Sequence, residues 1–279
     1  MVTLLPVGTL KEALAERKTH HATILNGATD LMIRDPNKLT VFDRSSTPII
    51  ALSQIDELRH IDVDDRTIQI GSAVTIDEIL RDPRIDETIK LPLRSIGSPA
   101  IRTMATLGGN ICNASPAGDS LPMLYALDAR VVLASADAFP REISIAEFLV
   151  GVRKTSLRDD EILTRIIIPN DSFTAFSFRK VGQRKANAIS KCSFYGALKK
   201  EKDLMIDLRI AFGAVGTTVI RDRQLELELL QTSPRSIDAW VESYDRLLRP
   251  IDDLRSTSVY RRRVCLNLLR DFLERSVFP

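Results

Sequence analysis

The sequence predicts an α+β fold, with mixed sheets carrying helices and a separate C-terminal unit of sheet plus helices. Three observations carry this reading. The opening 50 residues alternate helix and strand signals, and from about Ile55 the texture changes to short strands and capped helices. After Pro169-Asn170-Asp171-Ser172, which reads as a linker, three long strand candidates precede two or three helices. The chain has 279 residues, 44% hydrophobic and 27% charged, an ordinary globular composition. At roughly 100–200 residues per domain that length suggests two domains or three small ones.

Taken in order, Thr9 and Glu12 form a capping box, opening a helix that ends near Thr19. A strand over Ala22–Leu25 runs into Asn26-Gly27-Ala28-Thr29-Asp30. Leu31, Met32 and Ile33 then resume an apolar pattern before an Asp35-Pro36-Asn37 turn, and Pro48–Leu52 reads as a buried strand. RHIDV and TIQIGSAV flank an Asp-Asp-Arg turn and predict a hairpin. Thr75 and Glu78 make a second capping box, whose helix stops at Asp82-Pro83. A glycine-bearing stretch follows, then a helix over Ser120–Leu127 with Pro122 in its first turn. ARVVLAS, a third capping box at Ser144 and Glu147, and the strand EILTRIIIP complete the first part. FTAFSFRKV, AISKCSFYGAL and MIDLRIAFGAV are the three long strands, and the last helix runs from about Ser258 to Glu274.

Composition excludes several functions. Cys112, Cys192 and Cys265 form no CxxC pair and no iron–sulfur or zinc spacing, and His20, His21 and His60 are scattered, so no metal site is expected in this chain. A disulfide framework is equally unsupported, which points to a reducing compartment. The charges, 39 basic and 37 acidic, are interspersed, so nucleic acid is not an expected partner. Arg261-Arg262-Arg263 reads as a solvated helix face rather than a phosphate patch. No apolar run approaches 18 residues, and the N-terminus lacks a basic region followed by a cleavable apolar core. The expected location is cytoplasmic, away from membranes. G-x-G-x-x-G, GxxxxGK[ST], a nucleophile elbow and H-E-x-x-H are all missing, which weakens Rossmann, P-loop and hydrolase readings.

Two segments combine glycine with small polar residues between apolar elements: LNGATDL, Leu25–Leu31, and ATLGGN, Ala105–Asn110. Gly108-Gly109 would permit unusual φ values and close ligand approach. Backbone N–H groups in such loops form anion-binding nests, so two of them could hold a diphosphate from opposite sides. Thr29 and Thr106 would add hydroxyl donors. Singly, each loop is more often a simple turn, and Asp119 could be no more than a helix cap.

The order of segments is more specific. LNGATDLMI, IGSPAIRTMATLGGNICNASPAGDSLPMLYALDARVVLAS, EILTRIIIP, FRKVGQRKANAISK, LRIAFGAV and PIDDLRSTSVYRRRV follow one another. This succession closely resembles the FAD-binding medium subunit of the molybdenum hydroxylases, the group of xanthine dehydrogenase, carbon monoxide dehydrogenase and aldehyde oxidoreductase assemblies. It covers essentially the whole chain, and the stretch Ile96–Asp128 is its most specific part.

The resemblance implies a two-part FAD-binding domain over residues 1–170, with a small α/β subdomain (about 1–54) and a mixed or antiparallel sheet subdomain (about 55–170). A C-terminal domain of antiparallel sheet and packed helices, 171–279, follows. It implies that FAD is the cofactor. Its diphosphate would lie between the loop of Leu25, Asn26, Gly27, Ala28, Thr29, Asp30 and Leu31 and the loop of Ala105, Thr106, Leu107, Gly108, Gly109 and Asn110. Asp119 would contact the flavin nucleotide, and Ile96 falls where larger relatives place an aromatic residue near the adenine or nearby FAD atoms. Leu163 would be an apolar flavin contact and Lys180 a basic residue close to the isoalloxazine; otherwise Lys180 is a solvated strand residue beside Arg179. One departure is visible: the family's first loop often reads GGTD, and Ala28 replaces its second glycine here, costing φ freedom.

The resemblance also implies the division of labour. Substrate is oxidised on a large molybdopterin-binding partner, electrons cross [2Fe-2S] clusters on a small partner, and FAD in this subunit passes them to NAD or another acceptor. No catalytic acid or base is then required of this chain. The rival readings are a self-sufficient FAD-dependent oxidase of small molecules, which the scarcity of histidine disfavours, and an assembly subunit that has lost FAD, which the intact ATLGGN and Asp119 disfavour.

Overall fold

The computed structural model describes residues 3–31, 47–202, 204–231 and 236–277. The Met32–Ile33 pattern and the Asp35-Pro36-Asn37 turn lie outside the described residues. The chain forms two compact units. The first comprises Met1–Ile85, Ser98–Ala114 and Ala129–Pro169, and the second Asp86–Gly97, Ser115–Asp128 and Asn170–Pro279.

In the first unit, strands β1 (Leu4–Leu5), β2 (Thr23–Leu25) and β3 (Ile49–Ala51) form a parallel sheet in the order β1-β3-β2. The helix between β1 and β2, Leu10–His20, starts where expected. Thr9 Oγ1 accepts from the Glu12 N–H, and the Glu12 carboxylate accepts from the Gly8 and Thr9 N–H groups. Its buried Ala13 and Leu14 pack with Ala22, Ile50, Leu52, Ile55 and Leu58. Each fully buried leucine or isoleucine there contributes about 1.5–3 kcal/mol.

The larger sheet of this unit is built from β4 (Ile61–Val63), β5 (Thr67–Gly71), β6 (Arg130–Ala134) and β7 (Arg141–Ser144). A hairpin of β8 (Leu149–Gly151) and β9 (Lys154–Thr155) then precedes the central strand β10 (Ile162–Pro169). The order is β4-β5-β10-β6-β7, antiparallel throughout. The predicted hairpin joins β4 to β5 through Asp64, whose carboxylate accepts from the N–H groups of Arg66 and Thr67, each at 2.7 Å. The central strand β10 has its backbone paired on both edges, and Ile162, Leu163, Ile166, Ile167 and Ile168, which alternate between its two faces, are all buried. Its register with β6 slips between Leu163 and Arg165, while on the other edge the Ser72 N–H donates to the Thr164 carbonyl at 2.9 Å and carries the β5–β10 ladder one residue further.

The stretch read as glycine-bearing holds three helices: Glu87–Arg94 in the second unit, and Pro99–Arg102 and Leu107–Cys112 in the first. Pro92 looks like a helix breaker. It lacks the N–H that would bond the Thr88 carbonyl, but that carbonyl accepts from the Tyr195 hydroxyl at 3.2 Å instead.

The three long strands of the second unit form where expected: β11 (Ala175–Val181), β12 (Cys192–Glu201) and β13 (Leu204–Gly213), antiparallel in that order. Alternation along β12 divides the unit. Phe194 joins a core with Phe212, Phe272, Tyr244 and Trp240, while Tyr195 reaches the helix Glu87–Arg94. Phe194 lies 5.3 Å from Phe212 and 5.7 Å from Phe272, ring to ring and tilted. Helices Arg223–Gln231, Ile237–Asp245 and Ser258–Phe272 close the chain.

Arg261 is not on a solvated face. It is buried, donates to the Ala214 carbonyl at 3.0 Å and pairs with Asp253. Helical spacing explains the difference: Arg261 shares a face with Cys265 and Leu269, both buried, so the arginine run is split between the core and the surface. Among the described residues, no helix is long and apolar enough to cross a membrane.

Candidate functional site

The first unit brings the two glycine segments into contact. Leu25 ends β2, and the chain turns at once through Gly27 (φ +72°) and Ala28 (φ +56°), two successive left-handed residues. Glycine adopts this conformation freely, whereas alanine does so at about 1 kcal/mol, so the Ala28 departure is a real local strain. Close approach is the second reason for glycine at 27. A Cβ there would lie 2.3 Å from the Met104 carbonyl oxygen, just before the second segment. Asn26 ties the turn to the end of β5, its Nδ2 donating to the Ser72 carbonyl at 2.7 Å.

The second segment is a helix start rather than an open loop. Thr106 is the N-cap of Leu107–Cys112, its Oγ1 accepting from the Gly109 N–H at 3.0 Å. It is held by a bridge to Thr75 and by the Ile76 N–H donating to the Ala105 carbonyl at 2.8 Å. Gly108 and Gly109 are not among the glycines with positive φ, so unusual backbone angles are not why they are there. Proximity is the reason. A Cβ on Gly108 would sit 2.6 Å from the Ser72 carbonyl oxygen, and one on Gly109 2.9 Å from the Asn26 carbonyl oxygen. The Thr106 hydroxyl, expected as a ligand donor, is buried and serves as the cap. Leu107 is fully buried, leaving only its backbone for any ligand, and Ala105 and Leu163 are buried as well, with Leu163 opposite Leu133 at the β10 bulge.

Unsatisfied polar groups gather at this junction. Among the described residues, the backbone N–H groups of Gly27, Ala28, Thr29, Leu107 and Gly108 have no hydrogen-bond acceptor. The buried Asn26 Oδ1 and Ser72 Oγ also lack partners. Donors left free on two segments that glycine allows to touch suit the diphosphate of a dinucleotide.

The second unit contains the other chemistry-bearing cluster. Asp119 does not cap the helix Leu121–Ala126, whose N-cap is Ser120. Its buried carboxylate accepts from Lys180 Nζ at 2.6 Å through Oδ2 and from the Ser190 hydroxyl through Oδ1. Lys180 Nζ also donates to the Ser95 carbonyl at 2.9 Å, so Lys180 is an enclosed, paired cation rather than a solvated strand residue. Burial pushes the Asp119 carboxyl up, and Lys180 and Ser190 oppose that shift. Ile96 is partly buried just beyond the helix Glu87–Arg94, next to Ser95.

Sequence reasoning missed Ser72, Met104, Asn113, Arg153 and Ser190. Each acts through a contact between segments far apart in the chain, 71 residues in the case of Ser190 and Asp119; Met104, Asn113 and Ser190 lie inside the family segments, but nothing local singles them out there.

Comparison with known proteins gives a consistent result. Residues 2–171 match the family described as the FAD binding domain in molybdopterin dehydrogenase, and residues 177–276 match the CO dehydrogenase flavoprotein C-terminal domain. The chain is 35% identical to the nicotinate dehydrogenase FAD-subunit of Eubacterium barkeri over 65% of its own length and 63% of that protein's, so the match spans somewhat under two thirds of that relative. It is 33% identical to the caffeine dehydrogenase subunit beta of Pseudomonas sp. (strain CBB1), over 79% of this chain and 75% of that one. In fold it resembles a chain of carbon monoxide dehydrogenase from Hydrogenophaga pseudoflava, with a TM-score of 0.86 and 21% identity, covering 98% of this chain and 96% of that one. Two family matches covering nearly all of the sequence, on a fold shared with that structure, show that the chain belongs to the FAD-binding subunits of the molybdenum hydroxylase family, an oxidoreductase component with FAD as its cofactor.

Proposed function

We propose that this protein is the electron-transfer subunit of a molybdopterin-dependent dehydrogenase, accepting electrons from [2Fe-2S] clusters on a small partner and delivering them to NAD or another acceptor. A large molybdopterin-binding partner would oxidise the substrate. When bound, FAD would supply the redox chemistry, and the protein's part is to hold and tune it. The observation that carries the reading is the junction of the two glycine segments, where N–H donors without acceptors lie on backbones that only glycine at 27, 108 and 109 lets approach so closely.

In this reading residues 1–170 are the flavin-binding domain and 171–279 the C-terminal domain. The backbone of Leu25–Leu31 and of Ala105–Asn110 binds the diphosphate. Thr29 adds a hydroxyl, Asp30 and Asn110 hold the ends of the two segments, and Leu163 gives an apolar contact. Ile96, Asp119 and Lys180 are proposed as further flavin contacts by virtue of the motifs they occupy. The enclosed Lys180 ammonium favours added negative charge nearby, and Asp119 keeps that ammonium in place. Purification of the tagged chain from its native host tests this. The expected result is a flavin absorption band, one FAD per copy, and co-purification of a large molybdenum-containing and a small iron–sulfur partner. No flavin band even after FAD is added would refute the flavin site, and rapid substrate oxidation by the lone chain would refute the subunit role.

A further inference from the structure

We propose that Arg153 is a positioning residue that locks the two glycine segments together in the arrangement that receives FAD. The inference rests on the flavin reading above. Arg153 stands at the tip of the β8–β9 hairpin, where Gly151 pairs with Lys154 and leaves Val152-Arg153 as a two-residue turn. Its φ is +53°, a position that favours glycine and that an arginine occupies at about 1 kcal/mol. The tip is fixed by its backbone, the Arg153 N–H donating to the Ala114 carbonyl at 2.8 Å.

From that anchor one guanidinium nitrogen spans both segments. Arg153 Nη1 donates to Asn113 Oδ1 at 2.6 Å and to Asp30 Oδ2 at 3.2 Å. Asn113 is the C-cap of the helix whose first turn holds Gly108 and Gly109, and Asp30 closes the turn that begins at Gly27. These partners lie 40 and 123 residues from Arg153 in sequence, so the side chain joins three separate parts of the unit.

Magnitude separates positioning from stability. The Arg153 and Asp30 side chains are both close to half exposed, 46% and 42%, and pairs of that exposure add little to folding. Ligand binding is more demanding, because donors on two segments must converge on one group within a few tenths of an ångström. A link too weak to matter for folding can therefore matter for affinity.

The test uses the full chain stripped of flavin, with FAD titrated in and followed by quenching of its fluorescence. Arg153→Met, which keeps the stem and loses the donors, is expected to weaken FAD binding about fivefold. Its melting temperature without flavin should stay within about 2 °C of wild type. Arg153→Lys, which keeps a donor and the charge, should recover part of the loss. In an Asp30→Asn, Asn113→Ala background, Arg153→Met should cause no further loss. An undiminished effect in that background would mean that Arg153 touches the cofactor directly and would overturn the clamp, as would unchanged affinity in the single variant.

Amide exchange in the flavin-free chain gives a readout independent of the cofactor. Arg153→Met should accelerate exchange at Gly109, Asn110 and Asn113, whose N–H groups are bonded within the second segment, and unchanged exchange there overturns the proposal. If exchange responds but the wild-type chain takes up no FAD, the flavin reading fails while the clamp stands.

Discussion

Replacing Gly27 with alanine adds one methyl group at the point where the two glycine segments meet. That carbon would lie 2.3 Å from the Met104 carbonyl oxygen, 3.1 Å from its carbonyl carbon and 3.2 Å from Ala105 Cα. A relaxed C···O contact is about 3.3 Å or more, so the segments must separate by about 1 Å. All three atoms are backbone, which rules out relief by rotating a side chain. Overpacking of this kind costs about 1–3 kcal/mol, and the φ of +72° adds about 1–2 kcal/mol for a residue with a Cβ. The sum, about 2–5 kcal/mol, corresponds to a fall of about 3–9 °C in Tm for a protein of this size. Calorimetry of the flavin-free chain measures it, and FAD titration should show a larger proportional loss because the shift falls on the binding segments. Gly8→Ala is the control, since its nearest contact would be the Glu12 side chain at 3.8 Å. Ala28→Gly should behave in the opposite way, relieving its left-handed strain and offsetting part of that gain through a floppier unfolded chain, so that Tm stays at or slightly above wild type. If Gly27→Ala melts like Gly8→Ala and binds FAD as wild type does, the close-approach reasoning is wrong.

Two further outcomes concern the frame around the sites. Glu226 has no exposed surface; it accepts from the Ile210 N–H at 2.7 Å and pairs with Arg221 and Arg223, so Glu226→Gln should destabilise the chain by about 2–4 kcal/mol in urea unfolding by leaving the buried Arg221 undercompensated, and a loss below about 0.5 kcal/mol would show that Asp128 alone neutralises it. Burial alone would raise the Glu161 carboxyl, but Arg141, the Arg158 N–H and the Arg158 charge outweigh it and hold it below the usual glutamate range. A lowered carboxyl stabilises the fold above its unfolded pKa of about 4.3 and loses that contribution as pH falls through the lower folded value. The stability gap between wild type and Glu161→Gln should therefore be full at pH 6–7 and close progressively below about pH 4.5. A gap that is constant with pH would show that the charge is not what matters there.

Local chemistry determined much of this protein from sequence alone. The capping boxes at Thr9, Thr75 and Ser144 all form as read, because a hydroxyl and a carboxylate three residues apart satisfy two orphan N–H groups without help from the rest of the fold. The hairpin at Asp64 and the three long strands follow from equally local turn chemistry and side-chain alternation. The family, and with it FAD, was legible because the order of motifs is a property of the chain. Other features depended on partners that sequence cannot supply. In the helix around Pro92, Tyr195, 107 residues away from Thr88, takes up the carbonyl that proline leaves free. Gly108 and Gly109 are required by the neighbouring backbones of Ser72 and Asn26 rather than by their own φ, and Arg261 is buried because its helix turns that face to the core. Asp119, Lys180 and Ser190 are likewise joined only by the folded chain. Interactions that close within about four residues are encoded where they occur, whereas close approach and charge pairing between distant segments exist only once the chain has folded.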